Sequence, residues 1–494
     1  MFPQKIIAMN NHEKKSNKRA VFYAYLLLFS SILILYSVVF GQAGENSRLL
    51  LGVLIFLLLL LFSYFSVTGA FLAVIFSLPF LIGADSYQLN IGQFLDFIAP
   101  NIELYVNPFS LACIFIVFLA IIEGSKRFFK IPKVPLFFLI SFAIIISLIS
   151  FVQSKYKLTG LVFELYFISG FMAYFLGYFL LGSKKNYLKT ILVVIASSLI
   201  PIAVAFSQLA GGTYLFEADS DLGRVQSTFP HSNTFGSFLF VIATVFFVSL
   251  FAIKIIFKNQ KATKRFEIFR FIPFIIIVGF LILTYSRTAW MGFVLAVLAV
   301  AIIKPKIRIP VAFLGSLSVG VMLLFQKTRD RIFGAFERYM YDPLYGRFEI
   351  WDMALFEARK KFLIGYGTGS FEEVIKESQG KDTGNVYPHN DAIRFSLESG
   401  ILGLIGYILY MLGAIYYSLK SYLKFPAGIE KIKIWNLEAE VDFKFLGIIP
   451  LLLFGIMIFI SFIEAPSMDF VYQLLAWTIL GSWLGVSQKY WKRS

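Results

Sequence analysis

Three arginines, two histidines and two carboxylates stand at the margins of long apolar runs in this chain, and their types allow specific chemistry. Arg224 lies in GRVQSTFPH, Arg287 in TYSRTAW and Arg347 in YGRFEIW. A guanidinium stays charged and offers a planar fork of donors that fits phosphate oxygens. Two or three converging on one site would hold a diphosphate and stabilise it as a leaving group. The competing reading is a topology anchor or a structural ion pair. Arg287 has hardly any loop around it, so its charge needs a partner or water. His389 follows Pro388 just before an apolar segment. An ordinary imidazole, titrating near about 6.5, suits a general base that takes a proton from a hydroxyl or orients it. The alternative is a structural polar side chain. Asn390 would cap the next helix or hold the ring. His231, after Pro230, is the rival histidine and is read as an acceptor-side polar residue. Glu398 lies about 13 Å deeper along a helix than His389 and needs a partner, with Arg287 and Arg394 as candidates. Glu164 poses the same question. For both acids a buried structural pair competes with a catalytic role.

Gly365, Gly367 and Gly369 form either a tight turn whose amides meet a phosphate or a flexible outer turn. No Lys-Ser or Lys-Thr follows, so this is not a Walker loop. Gly400, Gly403 and Gly406 are spaced for close helix packing. There is no His/Cys cluster and no HExxH, and Glu45 is the lone acid of segment 41–48. The expectation is chemistry with no metal and no cofactor.

These residues must be positioned by membrane spans. The chain has 494 residues, is 58% hydrophobic and carries 58 Phe and 25 Tyr, with a mean hydropathy of +0.77. That excludes a soluble globular protein and implies a polytopic one in a lipid bilayer. The single Cys113 argues against disulfides and a cysteine metal site. A net charge of +16 would suggest nucleic acid in a soluble protein; here it is spread over loops, so no nucleic-acid partner is expected.

The fold class expected is all-α, with about 14 transmembrane helices and a large, partly helical extracytoplasmic loop. The spans are 21–40, two within 49–83, 108–123, 135–152, 158–182, 188–210, 233–257, 271–286, 288–303, 309–325, 391–417, 446–463 and 470–487. A cytoplasmic basic tail, 1–20, holding His12, precedes helices 1–11 (21–325). The catalytic loop is 326–390, helices 12–14 occupy 391–487, and 488–494 is a cytoplasmic tail. The first run, Val21 to Phe40, reads as a retained helix, not a signal peptide. Residues 84–107 read as a mildly amphipathic outer loop, and no internal repeat is evident.

Orientation follows from the basic residues. With the N-terminus inside, segments 1–20, 123–134, 183–189, 254–270, 304–308, 418–445 and 488–494 hold 29 of the 45 Lys and Arg. The short outer segments hold only Arg48, Lys155, Lys157, Arg224 and Arg287. This positive-inside bias places both termini in the cytoplasm and loops 211–232 and 326–390 outside. An enzyme working there must use a substrate already activated and carried across, and a lipid-linked diphosphate sugar has that form.

The stretch from Arg347 to Gly403 resembles the C-terminal region shared by the O-antigen ligase and polymerase superfamily. Arg347-x-x-x-Trp351, Gly365-x-Gly367-x-x-x-Phe371, His389-Asn390 and Glu398-x-Gly400-x-x-Gly403 carry the resemblance, which extends over roughly 200–420. The family's critical histidine stands at the position of His389. The resemblance implies a membrane glycosyltransferase that joins polyprenyl-diphosphate-linked oligosaccharide repeats into a capsule, exopolysaccharide, teichuronic acid or O-antigen. His389, Arg287 and Arg347 would be catalytic, and Arg224, His231, Asn390 and Glu398 would bind substrate. Flippase and chain-length regulator proteins would be its partners. The alternatives are a ligase that hands the glycan to another acceptor, a flippase or other transporter of lipid-linked sugars, and an export scaffold.

Orientation is directly testable. In a Cys113→Ser background, a cysteine at position 430 is expected to resist an impermeant thiol reagent applied to intact cells. One placed in loop 326–390 should label. Labelling of position 430 from outside would reverse the topology.

Overall fold

The computed structural model describes residues 66–81, 89–90, 105–106, 133–211, 223–229, 231–257, 260–309, 329, 343–379, 387–434 and 437–491. Helices α1 (Val67–Leu81), α2 (Phe137–Gln153), α3 (Lys157–Leu180), α4 (Lys184–Ala196) and α5 (Leu199–Leu209) come first. The pair β1 (Leu89–Asn90) and β2 (Tyr105–Val106) lies between α1 and α2. Then come α6 (Ser232–Ala252), β3 (Ile253–Ile256), α7 (Gln260–Phe269), α8 (Phe271–Leu283) and α9 (Arg287–Ile303). The loop region holds α10 (Pro343–Lys360), α11 (Phe371–Gln379) and α12 (Asp391–Glu398), followed by α13 (Gly400–Lys424). β4 (Ile429–Ile434), β5 (Leu437–Asp442), α14 (Phe443–Leu446), α15 (Ile448–Ile460) and α16 (Phe470–Ser487) complete it.

Seven helices among the described residues are long and apolar enough to cross a membrane: Thr159–Leu180, Lys184–Leu209, Ser232–Ala252, Gln260–Leu283, Gly400–Lys424, Phe443–Ile460 and Phe470–Tyr490. Three shorter apolar helices cover Val67–Pro79, Phe137–Gln153 and Arg287–Ile303. The expected total of about 14 spans is therefore not established. Expected spans 21–40, 108–123 and 309–325, with the first half of 49–83, lie outside the described residues, as do His12, Glu45, Arg48, Cys113 and Pro230.

Two expectations need correction. The chain is not purely α: β3, β5 and β4 form an antiparallel sheet in that order, with Ile253 opposite Val441 and Glu430 opposite Val441. The alternation of IEKIKI against LEAEVD supplies the two-residue period that this pairing needs. The expected span 391–417 is not continuous either. It breaks at Ser399–Gly400 into α12 and α13, and the latter runs on to Lys424.

The core is built around α3 and α16, whose backbones touch. A Cβ added at Gly481 would lie 2.0 Å from the Tyr174 carbonyl oxygen, and one at Gly177 would lie 2.6 Å from that of Thr478. Small residues of this kind let membrane helices pack at close range. Around this contact Phe171, Tyr410 and Phe454 set their rings against Trp477.

The basic segments gather at one end. Lys184 pairs with Glu430 and lies over the rings of Phe425, Phe443 and Tyr490. Lys304 donates to the Phe251 carbonyl, Gln488 donates to that of Lys133, and the sheet joins 253–256 to 429–442. The polar loops meet at the other end, where a glycine-rich segment grips the helix break. Gly365, Gly367 and Gly369 all have positive φ (77°, 113° and 75°), which favours glycine. Tyr366 and Gly367 donate their amides to Leu397 O (2.9 Å) and Glu398 O (2.8 Å), while Ile401 and Leu402 donate theirs to Phe362 O and Leu363 O. The segment is thus neither a phosphate cradle nor a flexible turn. It satisfies the orphan groups that the break creates.

The α3–α16 contact predicts a contrast. Gly481→Ala should lower stability by about 1–3 kcal/mol through overpacking. Gly455→Ala, with nothing within 4 Å of the added Cβ, should not. Thermal unfolding of the purified protein in detergent measures both.

Candidate active site

The site is assembled from the start of α10, the segment 387–391 and the turn between α15 and α16. Arg347 and Trp351 are one helical turn apart, so they share a face. Arg347 Nη1 donates to the Ile463 carbonyl (3.0 Å), and Nη2 lies 3.4 Å from Glu464 Oε1. Trp351 Nε1 donates to the Pro388 carbonyl at 2.7 Å. The Arg-x-x-x-Trp spacing therefore ties the inter-span turn to the strand of chain before α12.

His389 stands between these two anchors. Its Nδ1 lies 2.8 Å from Glu464 Oε2, and the Tyr387 ring packs edge-on at 4.8 Å between centroids. One carboxylate thus holds both Arg347 and His389. A carboxylate only accepts, so Nδ1 donates and Nε2 of the neutral ring is left as an acceptor. The side chains of His389, Glu464 and Arg347 are 27%, 24% and 22% exposed, so a substrate can reach them.

The His389 backbone has φ 46°, a region that costs a non-glycine residue energy. Its neighbours hold it there. Asn390 Nδ2 donates to Phe462 O (3.1 Å), and the Asp391 amide donates to Ser461 O (2.9 Å). Asn390 also caps α12, its Oδ1 accepting from the Ile393 amide.

A buried polar layer lies beneath. Asp391 accepts from the Tyr407 hydroxyl (3.0 Å) and from the Ser467 amide and hydroxyl. Burial raises its carboxyl to about 6, against the opposing pull of Arg394 and these hydrogen bonds. Arg394 Nε donates to Glu398 Oε2 (3.0 Å), and its Nη1 donates to Ser467 Oγ. Glu398 is therefore the partner of Arg394, not of Arg287. Glu164 is buried and bonded by Ser147. Further along α10, burial pulls the Glu357 carboxyl up. Hydrogen bonds from Lys360, Tyr366 and Ser378 outweigh that and hold it below the usual range.

The other expected residues do not join this group. Arg224 is buried; its Nε donates to Thr284 O and its Nη2 to Asn233 Oδ1 (2.6 Å), which ties 223–229 to the α8–α9 turn. His231 is exposed at the start of α6 and provides no side-chain cap. Arg287 is exposed at the start of α9 and has no hydrogen bond or ion pair among the described residues. It shares a helical stripe with the exposed Val294 and Leu298. Gly292 of α9 packs near Ile460, so Arg287 stands at the same end as Glu464 without touching it. No group of three His, Cys, Asp or Glu side chains that could hold a metal occurs among the described residues.

Glu464 is what the sequence reading missed. Its signal was available: an acid in FIEAP, in the short turn between the last two apolar runs, on the side assigned to His389.

Residues 272–408 match the family model described as O-antigen ligase. This stretch is therefore similar to the O-antigen ligase family, over a minority of the chain. The matched range includes Arg287, Arg347, His389 and Glu398, whereas Glu464 lies beyond it. The coarse activity indicated is transfer or polymerisation of lipid-linked glycan by a multi-pass membrane enzyme. No curated protein matches the chain.

The two arginines should respond differently to lysine. Arg347→Lys cannot keep both the Ile463 and Glu464 contacts, so stability should fall by about 1 kcal/mol along with activity. Arg287→Lys should leave the melting temperature unchanged and lower glycan transfer alone. Unchanged transfer in Arg287→Lys would reduce that residue to a topology anchor.

Proposed function

We propose that this protein polymerises polyprenyl-diphosphate-linked oligosaccharide repeats at the outer face of the cytoplasmic membrane, with both termini inside. The observation carrying this reading is the Glu464 carboxylate shared by Arg347 and His389, half-open to solvent at the end opposite the basic segments. An acceptor sugar hydroxyl donates its proton to His389 Nε2 as its oxygen attacks the anomeric carbon of the donor. The bond from that carbon to the diphosphate breaks, and the polyprenyl diphosphate leaves with the electron pair. A single displacement inverts the anomeric configuration. Glu464 holds the imidazole in the accepting tautomer and balances the charge that develops on it, as an acid does behind a catalytic histidine elsewhere. Arg287, unpaired among the described residues, is assigned to the leaving diphosphate, while Arg347 mainly fixes Glu464. Arg224 and Glu398 are assigned to structure, because their partners are internal. His231 remains an acceptor-side residue at most, and Asn390 positions His389. The step as written uses no metal or cofactor.

The test is polymer formed in vitro from lipid-linked repeats by purified variants. His389→Ala should lower the rate at least about a hundredfold. His389→Asn, which tolerates the left-handed backbone, should lose as much while keeping wild-type stability. Glu464→Gln should cost at least about tenfold, since it loosens control of the tautomer, and His231→Ala much less. Near-normal polymer from His389→Ala, or an equal loss in His231→Ala, would place the site on the wrong loop. Retention of single repeats on their acceptor with loss of long chains identifies a polymerase; loss of both identifies a ligase.

A further inference from the structure

Helix α10 is fastened at both ends to the ends of membrane spans. Near its start, Arg347 Nη1 bonds the Ile463 carbonyl, just past the span Phe443–Ile460. Just past its end, the carbonyls of Phe362 and Leu363 receive the amides of Ile401 (2.8 Å) and Leu402 (3.4 Å), in the first turn of the span Gly400–Lys424. The intervening chain is roughly 20 Å of helix. Both anchoring points mark the membrane boundary at the His389 end, so α10 runs along that boundary and not away from it.

One face of α10 packs inward through Ala354 and Ala358, against Val374 and Ile375 of α11 and Leu397 of α12. The opposite face is open and carries large apolar side chains alongside the charged Glu349, Asp352, Arg359 and Lys360. Phe348 is 51% exposed, Leu355 40% and Phe356 59%, and the turn that follows adds Phe362 at 61% and Leu363 at 56%. Such a stripe on a water-facing lobe would be costly. Asp352, Arg359 and Lys361 are exposed among these residues, so the stripe suits the headgroup level better than the hydrocarbon centre. It is also continuous with a lipid-facing surface. Leu363 is bonded to the first turn of α13, whose outward residues Ile405, Leu409 and Leu412 are exposed along the span.

We propose that α10 is an interfacial helix whose open face rests in the headgroup boundary of the leaflet at the His389 end. The lipid surface covers the stripe and holds Arg347, Glu464 and His389 at the depth of lipid phosphates. This placement does not depend on the reaction assigned to the site.

The experiment uses full-length protein carrying Cys113→Ser, reconstituted in vesicles of phosphatidylethanolamine and phosphatidylglycerol. Leu355→Cys, Phe356→Cys and Leu363→Cys are each spin-labelled. Collision with oxygen is then compared with collision with a water-soluble nickel chelate. Leu412→Cys serves as the lipid reference and Ala427→Cys as the aqueous one. All three labels should show a ratio shifted toward oxygen relative to Ala427, between the Ala427 and Leu412 values. A nickel-favoured ratio matching Ala427 would put the face in water, and shielding from both colliders would mean that protein covers it; either overturns the proposal. The three exposed positions report the same face independently, so a variant that fails to fold is replaced by its neighbours. Glycan synthesis is not part of the readout, so an error in the proposed reaction leaves this result intact.

Discussion

The interrupted helix at Ser399–Gly400 is the constraint on which the site depends. A break in a helix strands carbonyls on one side and amides on the other, and at a membrane edge such groups cannot be left unbonded. Here the segment 362–367 meets them from both directions, accepting from Ile401 and Leu402 and donating to Leu397 and Glu398. Gly400 itself has φ 64°, and a Cβ on it would sit 2.5 Å from the Leu363 backbone. Because the break is satisfied, α12 is an independent short helix. It can carry Asn390, Asp391 and Arg394 at an angle set by the loop, and its N-terminus brings His389 to Glu464.

The polar layer under the site explains why a charged group so deep is tolerated. Arg394 stands between Glu398 and the Ser467–Asp391 pair. Removing one member of such a network leaves the others buried and uncompensated, which is far more costly than never having built it. The layer therefore rigidifies the floor on which His389 is held in its left-handed backbone conformation.

Much of this was legible in the sequence, for reasons that differ by element. Long apolar runs announce spans because the bilayer sets their length, and α3, α6, α15 and α16 fall where the runs do. Arg347, Trp351 and His389 carried a motif, and their neighbourhood follows from it. The sheet was not legible: β3 pairs with β5 across a sequence separation of nearly two hundred residues, and alternation alone names no partner. The break within 391–417 was hidden because α12 and α13 are both helical and adjoin at Ser399–Gly400, where tertiary bonds from 362–367 mark the interruption. Glu464 escaped because an acid in a short turn is common and its meaning lies in the distant histidine that it faces. The glycines of 365–369 supply both a positive φ and an absence of bulk, and the second depends on backbone that only the fold brings near.

The touching backbones of α3 and α16 have a consequence for how the molecule handles a membrane-bound chain. Where a carbonyl oxygen sits against a glycine with no room for a methyl group, as at Tyr174 and Gly481 or at Tyr178 and Gly485, two rods cannot slide or part without losing their fit along the whole seam. The cavity beside them, under Arg394, Tyr410 and Trp477, measures about 20 Å³, room for about one water molecule. That seam is a fixed axle, not a hinge. Among the described residues, this seam offers a sugar headgroup no passage between the two helices.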